Sequence, residues 1–375
     1  MQIFSTFDSG NIKAVDTSNF SDIRLEILPD RRADFFQWFY FRVVGAQSKP
    51  IKLNIINAGS AFYLDGWKGY RAVASYDRNT WFRVNTEFDG KVLTIAHTPA
   101  HNAIYYAYFS PYTIGRYIDF IARQVTSPLA KIDALGQTLD GQCIDIIQVG
   151  EPGDAKRAFW VIARQHPGET MGSWWMEGFL PRLLDEKDAV AARLRDKAVF
   201  YVVPCMNLDG ARRGHLRTNA VGADLNRAWR NGSMEKSPEV FLVLQKMRET
   251  GVDFFLDVHG DEAIANNFLA GAYGIPSWDA RHEALFKNYS DSLLAVSDDF
   301  QTEDGYSKPA PGEANLDFAT YYVAETWGCL SMTLEMPFKD ATVNPEPVEG
   351  WSPERCRQLG RDNLTVMAGI VDLLR

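Results

Sequence analysis

No stretch of eighteen apolar residues occurs in the chain, so no membrane-spanning helix is expected. The opening segment, MQIFSTFDSGNIKAVD, lacks a basic region followed by an apolar run and does not read as a secretory signal. Cysteine is scarce. Cys143, Cys205, Cys329 and Cys356 are scattered with no CxxC pair, which argues against a zinc ribbon or a disulfide framework and fits a reducing cytoplasm. Positive charge is also short: 39 Lys and Arg stand against 48 Asp and Glu, a formal charge of −9. A general nucleic-acid binder needs the opposite balance. What is plentiful is apolar. With 46% hydrophobic and 23% charged residues over 375 positions, the chain reads as globular with a large core, not as disordered. At roughly 100–200 residues per domain, the length suggests two or three domains.

The pattern changes once along the chain. Residues 1–110 hold short aromatic and β-branched runs, such as Phe35–Val44 (FFQWFYFRVV), Ile51–Ile56, Trp81–Val84 and Lys91–Ile95, separated by turn residues like Asp89-Gly90. Strands of that length and spacing predict an antiparallel β-sandwich, with Gln37–Phe41 as a packed core strand. From residue 111 onward, helical periodicity alternates with apolar strands, beginning with a helix at Pro111–Gln124. Strands are expected at Ile144–Val149, Phe159–Ala163, Val199–Val203, Phe254–Val258 and Leu330–Leu334. Helices are expected at Gly172–Leu184, Glu186–Arg195, Pro238–Arg248, Trp278–Ala295 and Glu354–Leu374. That alternation predicts an α/β domain over 111–375 with a largely parallel sheet. Glu303–Asn315, rich in Gly, Pro and polar residues, reads as a long surface loop.

Chemistry-bearing residues follow these strands directly. His166-Pro167-Gly168-Glu169 comes just after Phe159–Ala163, Asn207-Leu208-Asp209-Gly210 after Val199–Val203, and His259 after Phe254–Val258; Leu330–Leu334 ends on Glu335. Ligands in open α/β sheets bind beyond the carboxyl ends of the strands. Two histidines and a glutamate make a zinc set that leaves a fourth position for water. HxxE alone is weak evidence, because core histidines and helix-capping glutamates are common. Of the other histidines, His97, His101 and His282 read as surface or structural. The segment 204–232 carries five arginines against two aspartates, a net charge of +3 within an acidic chain. Such a local field suits an anionic ligand, and arginine can fork onto a carboxylate. A solvated charged loop would look the same.

Taken together these motifs resemble a known family. His166-Pro167-Gly168-Glu169, Asn207–Gly210, Arg217, Asp224-Leu225-Asn226-Arg227, His259 and Glu335 occur in the order of the zinc metallocarboxypeptidases. Gln37–Phe41 and Tyr108–Thr113 are similar to the cytosolic carboxypeptidase subfamily, and the chain looks like a compact bacterial member. The resemblance implies an N-terminal β-sandwich followed by a carboxypeptidase-like α/β domain with a mixed, largely parallel sheet. It implies one zinc ion on His166, Glu169 and His259. Glu335 would be the general base, and Arg217 would steady the scissile carbonyl oxygen. Asn226 and Arg227 would clamp the terminal carboxylate of a peptide or protein substrate, and Asp224 would back the first zinc histidine. Some relatives of this kind prefer acidic C-terminal residues, for which Lys308 is the candidate basic group. Tyr306 is the candidate for the family's loop tyrosine, although a gap-free count back from Glu335 does not reach it. Two other readings stay open: a zinc deacylase or amidohydrolase acting on N-acyl amino acids, and a zinc-stabilised binding protein without catalysis.

Overall fold

A computed structural model describes residues 1–374. Ten strands occupy the first part: β1 (Gln2–Phe4), β2 (Lys13–Asp16), β3 (Ile23–Glu26), β4 (Tyr40–Val44), β5 (Ile51–Ile55), β6 (Val73–Ser75), β7 (Phe82–Arg83), β8 (Asn85–Phe88), β9 (Leu93–His97) and β10 (Ala103–Ala107). They form two five-stranded sheets, ordered β1-β4-β10-β6-β7 and β2-β3-β5-β9-β8. The sandwich is therefore as expected, with one exception to its antiparallel pairing. β3 and β5 run parallel, because the chain between them crosses to the other sheet as β4.

The aromatic run also departs from expectation. Only Tyr40–Val44 is strand, and Phe35–Phe39 is irregular. Gln37 replaces the missing ladder with its side chain: Nε2 donates to the Tyr63 carbonyl at 3.0 Å, and Oε1 accepts from the Tyr63 amide at 2.9 Å. A buried amide side chain thus satisfies backbone groups that a strand partner would otherwise take.

The second part starts with α1 (Ile114–Gln124), whose Thr113 side chain caps its N-terminus. It continues through β11 (Ala130–Gln137), β12 (Cys143–Val149), β13 (Arg157–Ala163), α2 (Met171–Leu183), α3 (Ala189–Lys197), β14 (Ala198–Val203), α4 (Leu208–Arg213), α5 (Pro238–Thr250), β15 (Phe254–Asp261), β16 (Phe268–Gly271), α6 (Ala280–Val296), α7 (Ala319–Trp327), β17 (Leu330–Pro337) and α8 (Pro353–Ile370). Seven strands make one mixed sheet, β11-β12-β14-β13-β15-β17-β16. Its four central strands are parallel and its margins antiparallel. Alternate residues of each central strand enter opposite cores. Phe159 and Val161 face the core shared with α2, α8 and the sandwich, whereas Trp160 and Ile162 face the one beneath α5 and α7. The sandwich and the α/β part meet through apolar stacking, with Tyr108 on Phe338 at 4.6 Å between ring centroids.

Candidate metal centre and substrate cleft

The parallel strands β13, β15 and β17 end side by side, with Ala163 opposite Val258 and His259 opposite Glu335. The chain leaving β13 must turn sharply. Arg164 adopts a left-handed backbone (φ 61°) and is held there because its buried guanidinium donates to the Pro167 carbonyl at 3.0 Å and the Tyr112 carbonyl at 2.7 Å. Gly168 allows the turn to pass the loop that carries Arg217. Its amide donates to the Leu216 carbonyl at 2.9 Å, and a Cβ there would lie 2.8 Å from that oxygen.

The turn brings three predicted side chains together. His166 Nδ1 lies 2.6 Å from Glu169 Oε1, His259 Nδ1 lies 2.8 Å from Glu169 Oε2, and the two Nδ1 atoms are 3.2 Å apart. All three residues are buried, and one ligand atom from each falls within 4.8 Å of the others. The far nitrogens face carboxylates: His166 Nε2 is 3.1 Å from Asp224 Oδ1, and His259 Nε2 is 2.8 Å from Asp257 Oδ2. Those carboxylates favour the Nε2–H tautomer, which turns both Nδ1 lone pairs toward one point. Two converging lone pairs and a carboxylate are the donor set that zinc takes, so these residues fit one Zn²⁺. Burial works against a charged His259, but Asp257 and Glu169 outweigh it and hold its pKa well above the usual imidazole range.

A cavity of about 390 Å³ opens beside this centre, lined in part by Arg217, Asn226, Arg227 and Glu335. Arg217 Nε donates to Asp224 Oδ2 at 2.7 Å, so one carboxylate links the guanidinium to His166. Burial raises the pKa of Asp224, but His166, Arg217 and Arg227 override it and keep the group ionised. The Asn226 side-chain carbonyl accepts from the Ala319 amide at 2.9 Å, at the start of α7, which leaves its Nδ2 as the donor without a protein partner among the described residues. Arg227 lies over the Phe318 ring, 3.5 Å from its centroid. Glu335 is 6% exposed; Oε1 accepts from the Tyr306 hydroxyl at 3.1 Å, and Oε2 has no partner among the described residues. Burial, with Glu169 and Asp261 nearby, lifts its pKa well above the carboxylate range.

Residues 114–354 match the zinc carboxypeptidase family. The chain belongs to that family. Residues 3–109 match the cytosolic carboxypeptidase N-terminal domain. This zinc carboxypeptidase is similar along its whole length to the solved structure of a metallo-carboxypeptidase from Pseudomonas aeruginosa in complex with (2-guanidinoethylmercapto)succinic acid (45% identity, TM-score 0.97, all of both chains covered). It is equally similar in fold to a metallo-carboxypeptidase from Burkholderia cenocepacia (42% identity, TM-score 0.97, 99% of each chain). Cytosolic carboxypeptidase 2 of Danio rerio is 29% identical over 310 residues, which cover 71% of this chain and 42% of that longer protein.

Some cleft residues had no signal in the sequence reading. Tyr63 reaches the cleft from the sandwich, and its hydroxyl accepts from Arg217 Nη1. Glu262, immediately after the observed end of β15 and four residues past the Val258 at which that strand was expected to stop, and Phe318, before α7, also line it. Tyr306, doubtful by counting, lies in the cleft with its hydroxyl donating to Asp261 Oδ2 at 2.8 Å. Lys308 does not line the cleft. Its ammonium sits 3.7 Å from the Tyr273 ring centroid and 3.9 Å from Glu283, beside a neighbouring cavity.

Proposed function

We propose that this metallocarboxypeptidase removes the last residue of a peptide through the residues named above. The carrying observation is that two arginines and an asparagine amide share one cleft with the zinc set and with Glu335. His166, Glu169 and His259 would hold the zinc ion, which when bound would supply Lewis acidity and a lowered pKa for water. Arg227 and the Asn226 amide bind the terminal carboxylate. Arg217 donates to the scissile carbonyl oxygen as that oxygen gains charge. Glu335 accepts a proton from the attacking water and returns it to the leaving amine; its elevated pKa and its free Oε2 suit both tasks.

The specificity reading differs from the acidic preference that the resemblance implies. The lining includes Ala270, Gly271, Thr320, Tyr321 and Thr333; among the described residues its lysines and arginines are Arg217 and Arg227 alone, and the two threonine hydroxyls satisfy each other at 2.6 Å. An acidic side chain would lose hydration there without gaining a partner, so the pocket takes an uncharged C-terminal residue. All four cysteines are unpaired, which supports a reducing compartment, and among the described residues no helix is long and apolar enough to cross a membrane.

Mass spectrometry of peptides differing only at the last residue tests this reading. Release of a single C-terminal amino acid, abolished by a chelator and faster from Ala-, Val- or Phe-ended peptides than from Glu-ended ones, is the expected outcome. Cleavage of N-acyl amino acids with intact peptides would favour a deacylase, and faster release of Glu would overturn the uncharged pocket.

A further inference from the structure

Arg217 stands in an irregular loop between α4 and the Asp224–Arg227 turn. What fixes this loop comes from the sandwich. Asp30, 2% exposed, turns both oxygens onto it: Oδ1 accepts from the Leu216 amide at 2.6 Å, and Oδ2 accepts from the amides of Arg217 at 2.9 Å and Thr218 at 2.8 Å and from the Thr218 hydroxyl at 3.0 Å. The next sandwich residue, Arg31, donates its amide to His215 Nε2 at 3.0 Å. These contacts set the backbone of Arg217 but leave its long side chain free to rotate.

The guanidinium is then held on two sides. Asp224 takes Nε at 2.7 Å, and the Tyr63 hydroxyl takes Nη1. The Phe35 ring covers the group, with its centroid 5.6 Å from Cζ. Tyr63 is itself pinned at both backbone groups by Gln37, and the Phe62 ring packs edge-on against it at 4.8 Å. Burial pushes the phenol pKa far up, so the group stays a neutral hydroxyl and a reliable acceptor.

We infer that Tyr63 is a positioning residue for Arg217, so that the N-terminal sandwich is a working part of the active site. This rests on Arg217 as the residue that meets the scissile carbonyl oxygen. A guanidinium held at two corners is aimed before substrate arrives; with one corner released it must be ordered during the reaction, and the cost falls on turnover rather than on binding.

The test uses the full-length, zinc-loaded protein and a peptide with an uncharged C-terminal residue. Wild type, Y63F, R217A and Y63F/R217A are compared for kcat, KM and zinc content. Y63F should lower kcat roughly tenfold, the size expected for loss of one hydrogen bond to a charged group, with KM changed less than about twofold and zinc retained. In the R217A background the same change should have no effect, because the group that Tyr63 positions is gone. Wild-type kcat in Y63F, with R217A slow, would overturn this inference alone. So would an equal loss in both backgrounds, which would mark a general effect on packing. Normal turnover by R217A would overturn the reading of Arg217 and this inference with it.

Discussion

The turn after β13 and the end of β17 lie on the same edge of one sheet, yet they place their glutamates in opposite surroundings. Glu169 is buried between two imidazoles, and their positive character draws its pKa below the usual range despite burial. Glu335 is equally buried, and there burial wins: it makes no hydrogen bond to an imidazole, the Glu169 and Asp261 carboxylates stand close, and the attraction of His259 does not offset them, so its pKa rises. Burial is common to both; neighbours decide the sign. Two carboxyl groups whose pKa values are driven apart divide naturally into a permanently ionised ligand and a group that can exchange a proton.

The sharpest way to break this contrast is to remove the exchanging group alone. Glu335→Gln keeps the shape and the Tyr306 contact but cannot accept a proton. Its kcat should fall by on the order of 10²–10⁴, with zinc content and product binding unchanged. Turnover near wild type, measured on the peptides above, would show that the raised pKa of Glu335 has no part in the reaction.

A smaller effect is expected on the other side of the comparison. Asp257 is fully buried and holds His259 Nε2 at 2.8 Å, and Gln165 Nε2 donates to the same oxygen at 2.6 Å. Gln165 is in turn fixed by the Trp229 indole N–H at 2.8 Å. Asp257→Asn weakens the tautomer preference of His259 and should lower zinc affinity by roughly 10–100-fold. Competition with a chelator of known affinity measures it. Unchanged affinity would mean that Glu169 and the strand geometry alone orient the ring.

The same contrast explains what could be read from the chain itself. His166, Glu169, His259 and Glu335 each follow an apolar run, and the end of a strand in a parallel sheet fixes where the next residue points. Asn226 and Arg227 belong to a compact turn whose Asp224 side chain caps it, so their spacing carries the geometry. Tyr63 and Asp30 had no such signal. They reach Arg217 across 154 and 187 residues, through the packing of one folded part on another, and no local pattern encodes that. Tyr306 was uncertain for a different reason: the long polar loop around it has no periodicity from which to count. The aromatic run at Phe35–Val44 misled because apolar content was read as strand, whereas Gln37 within it supplies the hydrogen bonds of an irregular segment.

A third buried glutamate provides the control that separates function from burial. Glu239, in the first turn of α5, is fully buried; among the described residues neither oxygen has a hydrogen bond of normal geometry, and its own backbone amide and the nearby Asn219 amide offset little of the desolvation that pushes its pKa up to about 7. Unlike Glu335 it does not line the cleft. Its consequence should therefore be stability alone. In the unfolded chain the group ionises from the ordinary glutamate value of 4.5, whereas in the fold it keeps its proton to about 7. Between those values the folded state holds more protons, so stability falls as pH rises through the window and stays low above it. The loss at pH 9 is on the order of 3 kcal/mol. Glu239→Gln should remove this slope, raising the Tm at pH 8–9 by a few degrees while leaving kcat within about twofold at every pH. Parallel Tm-against-pH curves for the two proteins would show that Glu239 is ionised in the fold, and a collapse of kcat would tie it to the cleft that its position excludes it from.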